Sequence, residues 1–581
     1  MTFLTNECVQ IMKYYPNIHK KFGMQMNILL YYLKDSVQGG SNLKNKKIVA
    51  MILILSIAFF LTGLLVACSQ DTKSTKEKTN PSRDELVLAI GGEPEDGFDP
   101  TTGWGRYGSP LFQSTLLKYD QDFQIVNDLA EDYQVSEDGT QWTVTIRKDA
   151  KFSNGEAVTA KDVVFTYETS KKSASVIDLS NVEKVEAVDS HTIRFTLKSA
   201  QSTFINMLIS TGIVPMHAYN DNYHEKPIGS GPYQLVQWDK GQQLIVEENP
   251  YYYGDKPFFK KLTFLFLSED TAFAAAKAGE VDIVSVPPSY ASEKIKDMNL
   301  LKLNSVDNRG ILFPYVSSGA KTDEGIPIGN DVTSDQMLRK AINIGINRQA
   351  LVDGVLDGFG TPAYSVADGL PWWNPATVIK DNNREEATRI LEKAGWKLNE
   401  KGIREKGDIE AAFTLYYPAN DQVRQSLSLA FAESVKELGI KVSTEGESWN
   451  ELEKLMFSNP VMMGWGSYDP LEMYNLYNSE TKGIGYYNSN FYGNSVVDNY
   501  MKLALEATAT EEANLYWQKA QWDGSTGFSA NGDAPWAWLV NLQHLYFVQV
   551  DLELGGQKIQ PHGHGWPLTD SVTKWRWKNN D

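Results

Sequence analysis

Residues 129–167 read LAEDYQVSEDGTQWTVTIRKDAKFSNGEAVTAKDVVFTY. Within them Trp142-Thr143-Val144-Thr145-Ile146-Arg147 alternates apolar and polar side chains with period two, which predicts a half-exposed strand. Gly139 and Gly155 punctuate the stretch where a positive φ or a close backbone approach is expected. A helical pattern follows over 160–170, opened by Thr159 with Asp162 as the acid of its first turn. Trp142 and Phe152 are the core anchors this pattern calls for.

The same alternation of elements extends on both sides. The run 85–90 is short, apolar and stopped by Gly91-Gly92, which suits a buried strand, and 191–197 again alternates in period two. Helical periodicity marks 271–278, 334–344, 384–394 and 423–438, the last followed by Gly439 as a helix-ending glycine. Interleaved strands and helices place the chain in the mixed α/β class.

Upstream, Lys44, Lys46 and Lys47 precede twenty uncharged residues, 48–67, that end in Leu65-Val66-Ala67-Cys68. A positive region, an apolar region and a small residue before a cysteine resemble the lipobox of bacterial lipoproteins, so residues 1–67 are read as a signal segment. Its first 42 residues are read as a spurious extension, with a true start near Leu43. Cys68 is then the lipidated first residue, and the polar stretch 68–83 is a flexible tether. The expected location is extracytoplasmic, lipid-anchored to the cell membrane. Beyond Cys68 the chain has no further cysteine, which excludes disulfides and thiolate metal sites there.

From Cys68 onward there are 514 residues, more than one core supports, so two or more lobes are expected. The leader holds seven lysines and two acids, leaving 48 basic and 71 acidic residues and a formal charge of −23 beyond it. Such a surface repels nucleic acid. No H-E-x-x-H, G-x-S-x-G or Cys/His pair occurs, so no enzyme is expected.

The stretch 129–167 closely resembles the best-known motif of the peptide/nickel family of extracytoplasmic solute-binding proteins of ABC importers. Further matches follow in the family's order: Gly229-Ser230-Gly231-Pro232-Tyr233, Trp238, Asn249-Pro250-Tyr251, Gly254, Ala278-Gly279-Glu280-Val281-Asp282, Leu338-Arg339-Lys340-Ala341-Ile342 and Asn347-Arg348. The resemblance implies a two-lobed, periplasmic-binding-protein-like fold with an extra subdomain in the first lobe. That lobe would span 84–309 and the second 310–540, with 541–581 returning to the first lobe as a C-terminal tail. It also implies a monomer that traps a small solute in the cleft and hands it to permease and ATPase subunits.

For the cargo, peptide-binding members carry an aspartate three residues after a tryptophan, where it holds the peptide ammonium. Here Trp465-Gly466-Ser467-Tyr468-Asp469 puts Tyr468 at that place and the acid one later. Trp465, Ser467, Tyr468 and Asp469 are the ligand contacts this segment supplies. The tail His562-Gly563-His564-Gly565-Trp566 sets two imidazoles at i and i+2, on one side of an extended chain. Imidazole suits nickel, copper or zinc, and some nickel-chelate binders of the family carry a similar loop. His562 and His564 are therefore expected as metal ligands and Trp566 as a ligand contact. The expected cargo is a Ni2+ chelate, for example nickel with histidine, with no covalent cofactor besides the lipid. A short peptide is the alternative, either imported or sensed by a surface receptor.

Residues 103–108, Gly-Trp-Gly-Arg-Tyr-Gly, spell G-x-G-x-x-G but stand thirteen residues past the strand 85–90, against a dinucleotide loop. They are read as a cleft-edge loop, with Trp104 stacking on the ligand and Arg106 holding a carboxylate through its planar fork. Arg309, at the lobe crossover, is a second carboxylate partner. Trp372-Trp373 is an aromatic pair for the far wall, and His544 is a satisfied core histidine.

Overall fold

The computed structural model describes residues 84–108, 110–173, 178–563 and 565–578. The leader, Cys68, the tether and His564 lie outside them.

Glu85–Ala89 is apolar because it is a parallel strand with parallel neighbours on both sides, Lys261–Leu265 and Ile283–Val286. It belongs to an eleven-stranded sheet. The order runs Lys441–Glu447, Ala412–Pro418, Val461–Met463, Met298–Leu312, Trp536–Gln549, Ile283–Val286, Glu85–Ala89, Lys261–Leu265, Gln243–Glu248, Tyr233–Asp239, with Gly360–Pro362 paired onto Trp536–Gln549.

Met298–Leu312 and Trp536–Gln549, 15 and 14 residues long, lie antiparallel at the centre and reach into both halves of the sheet. They carry the chain between the lobes. Their pairing shifts register between Asn304 and Asn308 and again between Arg309 and Gly310. A register shift of this kind breaks the period-two pattern along a strand.

In the first lobe a four-stranded antiparallel sheet, Ala130–Val135, Gln141–Ile146, Thr192–Leu197 and Val182–Ala187, packs against helix Ala160–Lys172. Trp142, Phe152, Val163, Tyr167 and Phe195 fill the space between them. Thr159 donates its backbone N–H and its hydroxyl to Asp162 Oδ2, at 2.9 and 2.8 Å, closing the helix start. Gly139 and Gly155 have φ of 68° and 87°.

In the second lobe helices Gln336–Gly345, Arg348–Val355, Arg384–Lys393 and Gln422–Lys436 bury Leu338, Ile342, Leu391 and Phe431 against the sheet. The tail returns across the molecule. Trp566, Leu568, Val572 and Trp575 join Leu88 and Phe264 in one core.

Candidate ligand cleft

Between the lobes lies a cavity of about 300 Å³, walled by segments from both. From the second lobe comes the loop that links Val461–Met463 to helix Leu471–Tyr477. This loop is zipped onto the crossover strand. Trp465 N–H donates to Asn308 Oδ1 at 3.1 Å, and Asn308 N–H donates to the Trp465 carbonyl at 3.0 Å. Gly466, at φ 149°, lies so close that a Cβ there would sit 2.3 Å from the Val306 carbonyl oxygen.

The approach aims two carboxylates inward. Gly466 and Ser467 each donate a backbone N–H to Glu472, one to each oxygen, at 3.1 Å. Asp469 Oδ1 accepts from Leu471 N–H at 2.9 Å and from Asn206 Nδ2 of the first lobe at 3.2 Å. Tyr119 in turn donates its hydroxyl to Asn206 Oδ1 at 2.7 Å. Burial disfavours the charged form and pushes both carboxyl groups up to about 7. The backbone donors, Asn206 on Asp469 and Arg106 on Glu472 all pull the other way, while the Asp469 charge adds to the rise at Glu472.

Arg106 enters from residues 103–108. Its Nη2 donates to the Tyr107 hydroxyl at 2.8 Å, and its guanidinium lies 4.4 Å from the centre of that ring. The three glycines of this segment have φ of 115°, 88° and 140°, so they serve backbone turns rather than a phosphate cradle. Lys118 and Lys558, also in the wall, are paired with Asp128 and Asp570 at 3.2 and 2.7 Å.

Of the residues expected at the ligand, Arg106, Trp465, Ser467, Tyr468 and Asp469 line this cavity. Three others do not. Trp104 packs edge-on against Phe98 and Trp566, at 4.9 and 5.3 Å, and its Nε1 donates to the Pro110 carbonyl at 2.7 Å. Trp566, 3% exposed, stacks on Phe264 at 4.4 Å. Arg309 is spent on Asp307 Oδ1, 2.5 Å away, and on the Asn308 carbonyl. Trp372 is likewise buried in the second lobe's core, and Trp373 donates its Nε1 to Thr377 Oγ1 at 3.1 Å.

His562 Nδ1 stands 2.7 Å from Asp307 Oδ1, and His544 Nε2 stands 3.3 Å from Oδ2 of the same carboxylate. Burial works against charge on Asp307, but Arg309 and the two histidines hold its carboxyl well below the usual range. The His562 Nδ1 therefore faces the Asp307 carboxylate as an ion-pair partner when its ring is protonated. The His562 ring lies 6.4 Å from the Tyr107 ring and, unlike Arg106 and Tyr107, does not line the cavity. Glu472, Asn206 and Tyr119 were not read from sequence. Glu472 stands three residues past Asp469 in the first turn of a seven-residue helix too short to show periodicity, and Asn206 is 263 residues from its partner.

Residues 124–486 match the model of the bacterial extracellular solute-binding proteins, family 5, middle region. Protein XP55 of Streptomyces lividans is 32% identical over 498 residues, covering 83% of this chain and 88% of that protein. The oligopeptide-binding protein AppA of Bacillus subtilis is 28% identical over 496 residues, covering 79% and 88%. Among solved structures, NikZ of Campylobacter jejuni in complex with Ni(L-His) superposes with a TM-score of 0.69 at 22% identity, covering 85% of this chain and 99% of that one. Its two-lobed fold is the fold described above.

Proposed function

Because the chain belongs to the family 5 bacterial extracellular solute-binding proteins, we propose that it captures a short peptide for an ABC importer. Members of this family are substrate-binding components that work with permease and ATPase subunits, not enzymes. In this reading Cys68 carries the lipid that tethers a monomeric receptor to the outer face of the cell membrane, and cargo leaves unaltered.

The observation that carries the cargo assignment is that Asp469, Glu472 and Arg106 line one cavity. Of these two buried carboxylates Glu472 feels the Arg106 charge and Asp469 feels no side-chain cation, and a peptide ammonium supplies one. Arg106 takes the terminal carboxylate through its fork. A volume of about 300 Å³ stands at the small end of ligand cavities, which suits a cargo of about two or three residues.

Calorimetric titration of the purified protein with dipeptides and tripeptides tests this. Binding is expected for free peptides and lost on N-acetylation, which removes the cation. Asp469→Asn is expected to weaken binding by at least about tenfold, equivalent to about 1.4 kcal/mol. Equal affinity for free and acetylated peptides would refute the assignment.

One feature favours a nickel chelate as the second reading. A histidine with one ring nitrogen turned to a carboxylate has an arrangement common among metal ligands, and His562 sets Nδ1 2.7 Å from Asp307 Oδ1. Titrating nickel with and without histidine, on the native protein and on His562→Ala, separates the two. Tight nickel–histidine binding that the substitution abolishes would replace the peptide.

A further inference from the structure

We propose that Tyr468 sets the upper size of the cargo, its ring filling a part of the cleft that otherwise continues toward Phe123. This rests on the peptide reading above. Tyr468 and Tyr119 line the cavity, and Phe123 packs on both without lining it, at 4.8 Å edge-on to Tyr468 and 4.6 Å from Tyr119. Tyr468 and Tyr119 themselves meet edge-on at 6.2 Å.

Contacts from separate segments pin the Tyr468 ring. Its hydroxyl donates to the Ile559 carbonyl of the tail. The Lys558 ammonium lies 5.4 Å from the ring centre and is itself held by Asp570. Phe123 sits at the tip of the hairpin that joins Leu117–Tyr119 to Ile125–Asn127. There it has φ 61°, an unusual conformation for an aromatic residue. Asp120 Oδ1 fixes that tip by accepting from the N–H groups of Asp122 and Gln124, both at 2.9 Å. A ring held this way does not yield to an incoming chain. The adjacent residue, Asp469, is tied through Asn206 to Tyr119, so the proposed ammonium anchor and the wall form one unit.

The test is calorimetry of the purified protein with alanine oligomers of two to six residues. The expected native profile favours dialanine and trialanine over pentaalanine. Tyr468→Ala should raise the pentaalanine-to-dialanine affinity ratio at least about tenfold. Tyr468→Phe, which keeps the ring, should keep the native ratio. If Tyr468→Ala fails to fold by circular dichroism, Phe123→Ala serves, because it removes the backing and should raise the ratio too. A native protein that takes pentaalanine as readily as trialanine overturns the proposal and leaves the peptide reading standing, as does an unchanged ratio in the folded variants. A native protein that binds no oligomer of any length overturns the peptide reading itself.

Discussion

Asp469 and Glu472 bind protons more tightly than free carboxyl groups because the cleft strips them of water, and this sets how the site answers pH. A ligand cation restores the charged forms, so binding should release protons near neutrality. Affinity for a free peptide is expected to fall from about pH 8 to about pH 5.5, by up to about tenfold per unit for each carboxylate that must ionise. Calorimetry in buffers of different ionisation enthalpy reads the released protons directly, and Asp469→Asn should reduce their number. The stability sign is opposite. Both groups are raised in the fold, so their contribution is fully present below the unfolded carboxyl range and is lost as pH rises through about 7. Asp469 was legible because it follows Trp465 in a recognisable segment. Trp104 and Trp566 misled because an aromatic beside glycines reads alike whether it meets a ligand or another aromatic, and these two meet each other across the fold.

At the scale of elements, the ligand loop is positioned by its seam to Met298–Leu312. Gly466→Ala would place a methyl 2.3 Å from the Val306 carbonyl oxygen in a conformation that L side chains rarely adopt. It is expected to cost about 1–3 kcal/mol and to disorganise the donors to Glu472. Chemical denaturation should show the loss of stability, and calorimetry a larger loss of peptide affinity than Ser467→Ala produces. Long helices such as Gln336–Gly345 and Arg384–Lys393 were legible because apolar residues recur at helical spacing over ten residues. The helix read from 271 starts at Glu269, since Ser268 caps it by accepting from Thr271 N–H. Leu471–Tyr477 has only seven residues, and its site role comes from what it packs beside.

At the scale of the molecule, the lobes share one sheet and touch through Asn206 with Asp469 and through Phe123 with Tyr468. Cargo that contacts both lobes favours their closed arrangement. X-ray scattering should therefore show a smaller radius of gyration at saturating peptide, and Asp469→Asn should blunt that change. Peptide at a hundredfold excess over its dissociation constant should add about 2.7 kcal/mol to unfolding stability. The two-lobed design was legible from motifs in order along the chain. Lys558, near the end of the chain, was not, because only the return of the tail brings it to the cavity that Arg106 lines.

The Asp307 cluster on the crossing strands carries a consequence for life in an acidifying medium. Its carboxylate, clasped by Arg309, His544 and His562, keeps its charge far below the range in which the cargo grip lets go. Mild acid would empty the receptor while its pivot stays intact, so the same molecules could be refilled when the surroundings turn neutral again.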